Sequence, residues 1–195
     1  MKKALAFLMA AVMLMSMLTA CGNKDNAADN NDADNNNVNT EETDKAAADK
    51  VAALIDAIYV QERTEETDAQ CEAAKAAWDA LTDAQKALVE GEEASPDYFG
   101  LDTGDASKDD PRNQDEIGEK ELLVVSFGTS FNDSRVADIK SIEDALQEAN
   151  PDWSVRRAFT AQIIINHIQA RDGEKIDNME QALERAVANG VKQLV

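Results

Sequence analysis

The residues best placed to bind a ligand form a short run of small and hydroxyl-bearing side chains. The run Ser-Phe-Gly-Thr-Ser, residues 126–130, follows an apolar stretch and precedes a helical pattern. Ligands of open α/β sheets bind where strands end and helices begin, and free backbone N–H groups at such a turn favour anions. We therefore interpret Ser126, Gly128, Thr129 and Ser130 as candidate binding residues. A second interpretation is compatible with the first: the glycine allows a tight turn and the hydroxyls cap the next helix.

Other polar residues are better explained by structure than by chemistry. His167 is the only histidine and lies between isoleucines with no pair of cysteines nearby, so we do not expect it to bind a metal. Arg156 and Arg157 are expected to form ion pairs with acidic helices; the alternative is that one of them meets a substrate carboxylate. The pair Asp109-Asp110 is expected to be solvated. The sequence predicts no catalytic residue and no metal ligand in this chain.

The composition excludes two classes of function. The 195 residues include 19 Lys and Arg against 39 Asp and Glu, which gives a formal net charge of -20. Nucleic-acid binding needs a basic surface, so this charge argues against it. One histidine and two cysteines cannot build a zinc ribbon or a multi-histidine metal cage.

The N-terminus has the pattern of an export signal that ends at a lipid attachment site. Lys2 and Lys3 precede an apolar run, 4–20, which closes in Leu-Thr-Ala-Cys at Cys21. This pattern resembles a bacterial lipobox, in which the cysteine is lipidated and the signal peptide, here 1–20, is removed. An ordinary secretory signal and an uncleaved anchor are the alternatives. The sequence thus predicts a lipoprotein anchored to the cell membrane through Cys21, on the extracytoplasmic face.

Three segments of different composition follow the signal. Eight asparagines and many aspartates between residues 22 and 44 predict a disordered tether, 21–44, because such a chain buries too little apolar surface to fold. A small helical module is predicted over 45–90. Residues 91–119 are acidic and broken by glycine and proline, so we interpret them as a linker, with a possible docking patch at Tyr98, Phe99 and Leu101.

The helical module is predicted from its apolar spacing and one capping pattern. Its first helix carries apolar residues at i, i+3, i+4 and i+7, namely Val51, Leu54, Ile55 and Ile58. Thr82 with Gln85 three residues later is a capping box. The module resembles the small helical modules repeated in Gram-positive surface proteins, which implies a spacer or interaction role. Cys71, the other cysteine of the chain, is expected to be a half-buried structural residue.

The last segment, 120–195, is predicted to be part of an α/β domain. An apolar run at 122–125, an alternating stretch at 153–159 and the final stretch 191–195 predict three strands with helices between them. This order is typical of an open parallel sheet. Parallel sheets are normally covered on both faces, and the chain supplies no cover after its last strand. We therefore expect an incomplete half of the domain, and hence a fragment of a longer protein.

The helices of this segment are predicted with defined faces and caps. The first should bury Val136, Ile139, Ile142 and Leu146. Thr160 is expected to cap the second, which should carry Ile164, Ile165 and Ile168 and stop at Gly173. Asp177 with Glu180 is expected to cap the third. Its inward face should carry Met179, Leu183, Ala186 and Val187.

A family resemblance rests on several motifs in one order. Leu-Leu-Val-Val-Ser-Phe-Gly-Thr-Ser at 122–130, Arg-Arg-Ala-Phe-Thr at 156–160, Ile-Ile at 163–164 and Arg-Asp-Gly at 171–173 resemble the N-terminal part of the anaerobic sirohydrochlorin cobaltochelatases. The resemblance implies two similar α/β halves with a tetrapyrrole in the cleft between them. It also implies insertion of a divalent metal, physiologically cobalt, without ATP, so Co²⁺ is a substrate and no cofactor is expected. The family's metal-handling histidines and glutamate lie downstream of the matching residues.

Two functions from different classes are consistent with these observations. The first is a fragment of a lipid-anchored chelatase that inserts Co²⁺ into a sirohydrochlorin-like tetrapyrrole in anaerobic cobalamin biosynthesis, the fragment itself being inactive. The alternative is a non-enzymatic, extracytoplasmic tetrapyrrole- or metal-binding lipoprotein on the same fold. The predicted location favours the alternative somewhat, because a cytoplasmic intermediate should be scarce outside the cell. A pure surface spacer does not explain the strand-turn-helix pattern.

Overall fold

A computed structural model describes the backbone of residues 32–195 and the side chains of residues 40–195. The predicted signal peptide, Cys21 and the first part of the predicted tether lie outside the described residues. Residues 37–195 form one compact unit, which contains the helical module and the α/β segment. Within the described part of the chain, no helix is both long enough and apolar enough to cross a membrane.

The first helix begins well before the predicted start of the helical module. Helix α1 spans Asp32–Ile58, so the part of the predicted tether from Asp32 onward is helical rather than disordered. Each residue added to an existing helix gains one hydrogen bond, so extension is easier than starting a new helix. The buried turns near the C-terminal end of α1 provide the starting point. Asp44, the last residue of the predicted tether, accepts a hydrogen bond from Gln85 Nε2 at 2.8 Å.

The helical module packs its helices around one apolar core. Helices α2, Thr67–Asp79, α3, Asp83–Lys86, and α4, Asp97–Gly100, follow α1. The predicted capping box of α3 is present in both directions. The core is lined by side chains from α1 and α2 and by the segment after α3, among them Val51, Ile55, Ile58, Cys71, Ala74, Trp78, Val89, Tyr98 and Phe99. Cys71 is therefore fully buried rather than half-buried.

The segment that the sequence marks as an acidic linker is packed against the rest of the molecule. Tyr98 and Phe99 are buried and their rings meet edge to face, with centroids 4.8 Å apart, whereas Leu101 stays 45% exposed. Asp56 of α1 accepts hydrogen bonds from three successive backbone N–H groups of residues 92–94. A 3-10 turn, Ala106–Lys108, comes after α4 and precedes the first strand.

The α/β segment has the predicted class and strand direction. Strands β1, Lys120–Ser126, β2, Ser154–Phe159, and β3, Gln193–Leu194, form an open parallel sheet in the order β2-β1-β3. Leu122 lies opposite Val155 and Val124 opposite Arg157 in the register of the two longer strands. Strand β3 is shorter than the predicted 191–195 and pairs with β1 only at Lys120 and Glu121.

A turn of π-helix overturns part of the predicted face of the first crossover helix. The crossover consists of α5, Asn132–Ser134, a π-helical segment, Arg135–Lys140, and α6, Ser141–Ala149. A π turn adds a residue to the helical repeat and so rotates everything after it. As a result Ile142 is 59% exposed, and Glu143 takes the buried position in its place.

The two later helices also differ from prediction at their caps and faces. Helix α7, Gln162–Asp172, has Ala161 as its N-cap instead of Thr160, and it ends at Gly173 as predicted. Helix α8, Met179–Ala188, is capped by an Asn178–Gln181 box, one residue later than predicted. Of the residues predicted to face inward, Ala186 is buried, whereas Leu183 and Val187 are 42% and 80% exposed; Ala182 is buried instead.

The helical module and the α/β segment share an interface along α7. Gln61 Oε1, just after α1, accepts a hydrogen bond of 3.0 Å from the backbone N–H of Gln162 and so takes the capping role at the start of α7. Asn166 Nδ2 donates to Ile58 O at 2.8 Å, and Cys71 Sγ donates to Asn166 O at 3.6 Å. The module is thus fastened to the α/β segment by direct contacts.

Candidate ligand-binding edge of the sheet

The predicted binding residues lie in the loop that leaves the carboxyl end of β1. Ser126 ends the strand, and Gly128 has a φ of 93°. A Cβ atom at Gly128 would lie 2.4 Å from Cδ2 of Phe159, so the ring of the neighbouring strand's last residue occupies the space of a side chain. Only glycine fits this turn, for both reasons at once.

The loop carries backbone N–H groups that have no hydrogen-bond acceptor and carbonyl groups that are hydrogen-bonded. Within residues 40–195, no acceptor is hydrogen-bonded to the backbone N–H of Gly128, Thr129 or Ser130. Ser130 O accepts a hydrogen bond from Arg171 Nη2 at 2.7 Å, and Thr129 O accepts one from Arg135 Nη1 at 3.4 Å. The arrangement can bind an anion through backbone donors, as at other strand-to-helix turns.

The hydroxyl groups of the loop have separate roles. Thr129 Oγ1 accepts a hydrogen bond from the backbone N–H of Phe131 at 3.2 Å, which closes a turn before the helix. The N-cap of α5 is Phe131 and no side chain caps this helix, so the prediction that the loop hydroxyls cap it is wrong. Ser126 Oγ is buried with no hydrogen-bond partner among the described residues. The loop therefore holds both a hydroxyl that closes a turn and a polar group that is left unsatisfied.

A network of buried charged side chains lies beneath the loop. It includes Asp109, so the prediction that Asp109 is solvated is wrong. The Asp109 side chain has no exposed surface; it accepts hydrogen bonds from Arg135 Nε at 2.5 Å and Arg157 Nη1 at 2.7 Å. Burial alone would raise the pKa of Asp109, but the two guanidinium groups outweigh it and hold that pKa below its ordinary value. Glu143 binds the other face of Arg157, with Oε2 2.7 Å from Nη2. The segment predicted to be an acidic linker thus contributes a buried carboxylate, that of Asp109, to the fold.

The paired arginines of β2 form ion pairs, as predicted. Arg156 contacts Asp177 at 3.0 Å, and both Arg156 and Arg157 have no exposed side-chain surface. Burial alone would lower the pKa of Arg157, but its hydrogen bonds with Glu143 and Asp109 raise it. Because neither guanidinium group reaches the surface, the alternative contact to a substrate carboxylate is not supported.

A second feature of the same edge is a cleft of about 410 Å³ at the carboxyl end of β2. Thr160 and Asn178 line one side of it, and Gln61 and Arg63 of the helical module line another. The loop 126–130 does not line this cleft. The predicted binding residues are therefore partly buried and lie outside this cleft.

His167 has a structural place between the module and α7. Its ring stacks on Tyr98 with centroids 4.2 Å apart, and Nε2 lies 2.6 Å from Tyr98 O. Burial, with a smaller contribution from Arg171, lowers the pKa of His167 to about 4. Across residues 40–195, no three His, Cys, Asp or Glu side chains lie close enough together to hold a metal ion.

Sequence reasoning missed the residues that hold the loop from inside. Asn132 is 2% exposed and its Oδ1 accepts from Arg135 Nη2 at 2.7 Å and from Arg171 Nη2 at 3.1 Å. The Arg-Asp-Gly motif at 171–173 contributed to the family resemblance, but it did not predict a contact between Arg171 and the loop. The spacing of Asn132 and Arg135, one helical turn apart and just after the loop, was the available signal.

Comparison with known proteins agrees with the motifs. The family model for cobalt chelatase (CbiK) matches residues 120–195, so residues 1–119 lie outside the match. The sirohydrochlorin cobaltochelatase of Salmonella typhimurium is 42% identical over 76 residues, which are 39% of this chain and 29% of that protein. The chain thus spans less than a third of the length of this relative, and no solved structure matches it. Residues 120–195 are thus similar in sequence to the CbiK-type cobalt chelatases.

Proposed function

We propose that this chain is part of a lipid-anchored sirohydrochlorin cobaltochelatase, an enzyme that inserts Co²⁺ into a tetrapyrrole. The observation that carries the proposal is the match of residues 120–195, whose motif loop lies at the carboxyl edge of the sheet with free backbone donors. Tetrapyrroles of this class carry several carboxylates, which are suitable acceptors for such donors. Co²⁺ is a substrate of this reaction, and the proposal needs no resident cofactor.

In this proposal the described residues bind and orient the tetrapyrrole, while other residues of the enzyme handle the metal. Metal insertion replaces two pyrrole protons, which need a basic acceptor beside the macrocycle. His167 does not suit that task, because its ring is buried against Tyr98 and its Nε2 already contacts Tyr98 O. The metal-handling histidines and the glutamate are therefore assigned to the part of the family fold that these 76 matched residues do not cover.

The apolar surface of the α/β segment supports the proposal that more of the fold covers it. Val125 and Phe127, at the end of the central strand, are 44% and 65% exposed. Val187 of α8 and Leu194 of β3 are 80% and 43% exposed. Four exposed large apolar side chains beside a parallel sheet are typical of a surface that is covered by further elements of the domain.

The experiment that tests the function compares binding with turnover. The 195-residue chain, titrated with sirohydrochlorin, should bind it with micromolar affinity and should not accelerate cobalt insertion. The complete gene product should do both. Absence of binding by the chain would refute the role of the loop, and cobalt insertion by the chain alone would refute the assignment of metal handling to other residues.

The alternative function is a tetrapyrrole-binding lipoprotein without enzymatic activity. It is favoured by the predicted export signal and Cys21, because an intermediate made in the cytoplasm should be scarce outside it. If the complete gene product binds sirohydrochlorin but never accelerates cobalt insertion, the alternative replaces the chelatase. Membrane attachment through Cys21 is tested separately: Cys21→Ala should move the protein from the membrane fraction into the medium or periplasm.

A further inference from the structure

Two buried arginines meet the candidate binding loop from its inner side and share one amide. Arg135 Nη1 donates to Thr129 O, and Arg171 Nη2 donates to Ser130 O. Asn132 Oδ1 accepts from both guanidinium groups. The Arg135 side chain has no exposed surface and that of Arg171 is 8% exposed. The carbonyls of Thr129 and Ser130 are thus each fixed by a donor that is itself held in place.

The charges of these arginines are already neutralised by other partners. Arg135 pairs with Asp109 at 2.5 Å and lies 3.4 Å from Glu174, and Arg171 pairs with Asp172 at 2.6 Å. A guanidinium group has donors in a fixed planar fork, so the carboxylates that hold one edge determine where the other donors point. The ion pairs therefore fix the direction of the hydrogen bonds to the loop.

These hydrogen bonds also act on the backbone N–H groups of the loop. Thr129 O and the N–H of Ser130 belong to the same peptide group, so a cation at the carbonyl makes that N–H a stronger donor. The next peptide N–H, of Phe131, is occupied by Thr129 Oγ1. The N–H of Ser130 is thus the strengthened donor, and no group among residues 40–195 accepts a hydrogen bond from it.

We propose that Asn132, Arg135 and Arg171 are positioning residues that hold the 128–130 loop ready for a carboxylate of the bound tetrapyrrole. This inference rests on the proposed function for the identity of the ligand, and on the geometry above for the roles of the three residues. The arginines do not touch the ligand; they act through the peptide groups of Thr129 and Ser130.

The test combines loop dynamics with ligand affinity in the 195-residue chain. Two amides next to the loop are protected by hydrogen bonds, that of Phe131 to Thr129 Oγ1 and that of Asp133 to Thr103 O at 2.9 Å. In Arg171→Met both amides should exchange with solvent at least tenfold faster, and affinity for sirohydrochlorin should fall about tenfold. Arg171→Lys keeps a positive charge beside Asp172 but lacks the fork, so it should show the same two changes with a smaller loss of stability. A merely structural arginine would lower the melting temperature without a selective effect on these amides.

Arg185→Met serves as the matched control, because Arg185 also pairs with buried and exposed carboxylates, Asp177 and Asp115, but does not contact the loop. It should leave loop exchange and affinity unchanged. If the wild-type chain does not bind sirohydrochlorin, the binding role that the proposed function gives to the loop fails. If it binds and Arg171→Lys binds equally well, the positioning role is overturned, whether or not the amides exchange faster.

Discussion

The core of the helical module and the region beneath the binding loop are both buried, yet one is formed by apolar side chains and the other by charged ones. The module is closed by apolar side chains such as Ile55, Cys71 and Trp78. The region beneath the loop is closed by Arg135, Arg157 and the carboxylates that surround them, with no exposed surface on either arginine.

The two kinds of interior make different contributions to the protein. Apolar contacts are roughly proportional to area and insensitive to direction, so they mainly supply stability. Buried ion pairs repay their desolvation only when geometry is good, and they add little net stability, but they fix direction. The module therefore stabilises the chain, and the charged network determines the shape of the loop.

Removal of one network charge should have the largest effect on stability. Arg157→Met leaves Glu143 and Asp109 buried without their common partner, which should reduce the free energy of unfolding by about 4 kcal/mol. Urea unfolding of the purified chain measures it. The control is Lys192→Met, whose side chain and that of its partner Glu119 are 68% and 67% exposed and whose loss should cost under about 1 kcal/mol. Equal losses in the two variants would remove the distinction between buried and surface pairs.

Truncation in the module core should come next. Ile55→Ala removes a side chain with no exposed surface, and the cavity should cost about 3 kcal/mol in urea unfolding. The Ile55→Ala substitution should leave the amide exchange of the loop unchanged, because the loop is held by hydrogen bonds from buried arginines and not by this apolar core. Faster exchange at Phe131 in this variant would contradict the separation of the two roles.

The pH dependence of stability should reveal the buried histidine. The pKa of His167 is lowered to about 4, below the 6.5 of an unfolded chain, so the unfolded state binds the proton first and stability falls as pH drops below 6.5. Between pH 8 and pH 5 this group should remove about 2 kcal/mol. His167→Phe keeps a ring beside Tyr98 and should lack that part of the slope. Parallel pH profiles for the two proteins would refute the shift.

The smallest effect should come from a helix cap. Asn178→Ala breaks the capping box at the start of α8, in which Asn178 Oδ1 accepts from Gln181 N at 2.9 Å. The expected loss is about 1 kcal/mol. Glu180→Ala tests the predicted box of Asp177 with Glu180; a loss as large as that of Asn178→Ala would contradict the assignment of Asn178 and Gln181.

The features of the fold that depend on residues close together in the sequence could be predicted, whereas those that depend on contacts between distant residues could not. The apolar run at 122–125 and the glycine of the loop are recognisable because a buried parallel strand and a tight turn each need those residue types. The burial of Asp109 is not recognisable, since an acidic pair in a polar segment reads as solvated until its arginine partners are known. The face of α6 was missed because a π turn has no spacing signature. For the candidate site, the loop was predicted, and the arginines and amide behind it were not.

The cap that Gln61 provides to α7 has a consequence for the order of folding. Gln61 and Gln162 lie 101 residues apart in the chain, and closing so long a loop carries an entropy cost that only later contacts offset. We expect the first turn of α7 to become ordered only after the module has docked. Trp78 reports on the module and Trp153 on the α/β segment, so refolding followed by tryptophan fluorescence in Trp78→Phe and Trp153→Phe chains should show the module signal first. Simultaneous signals would mean that the two regions fold in a single step.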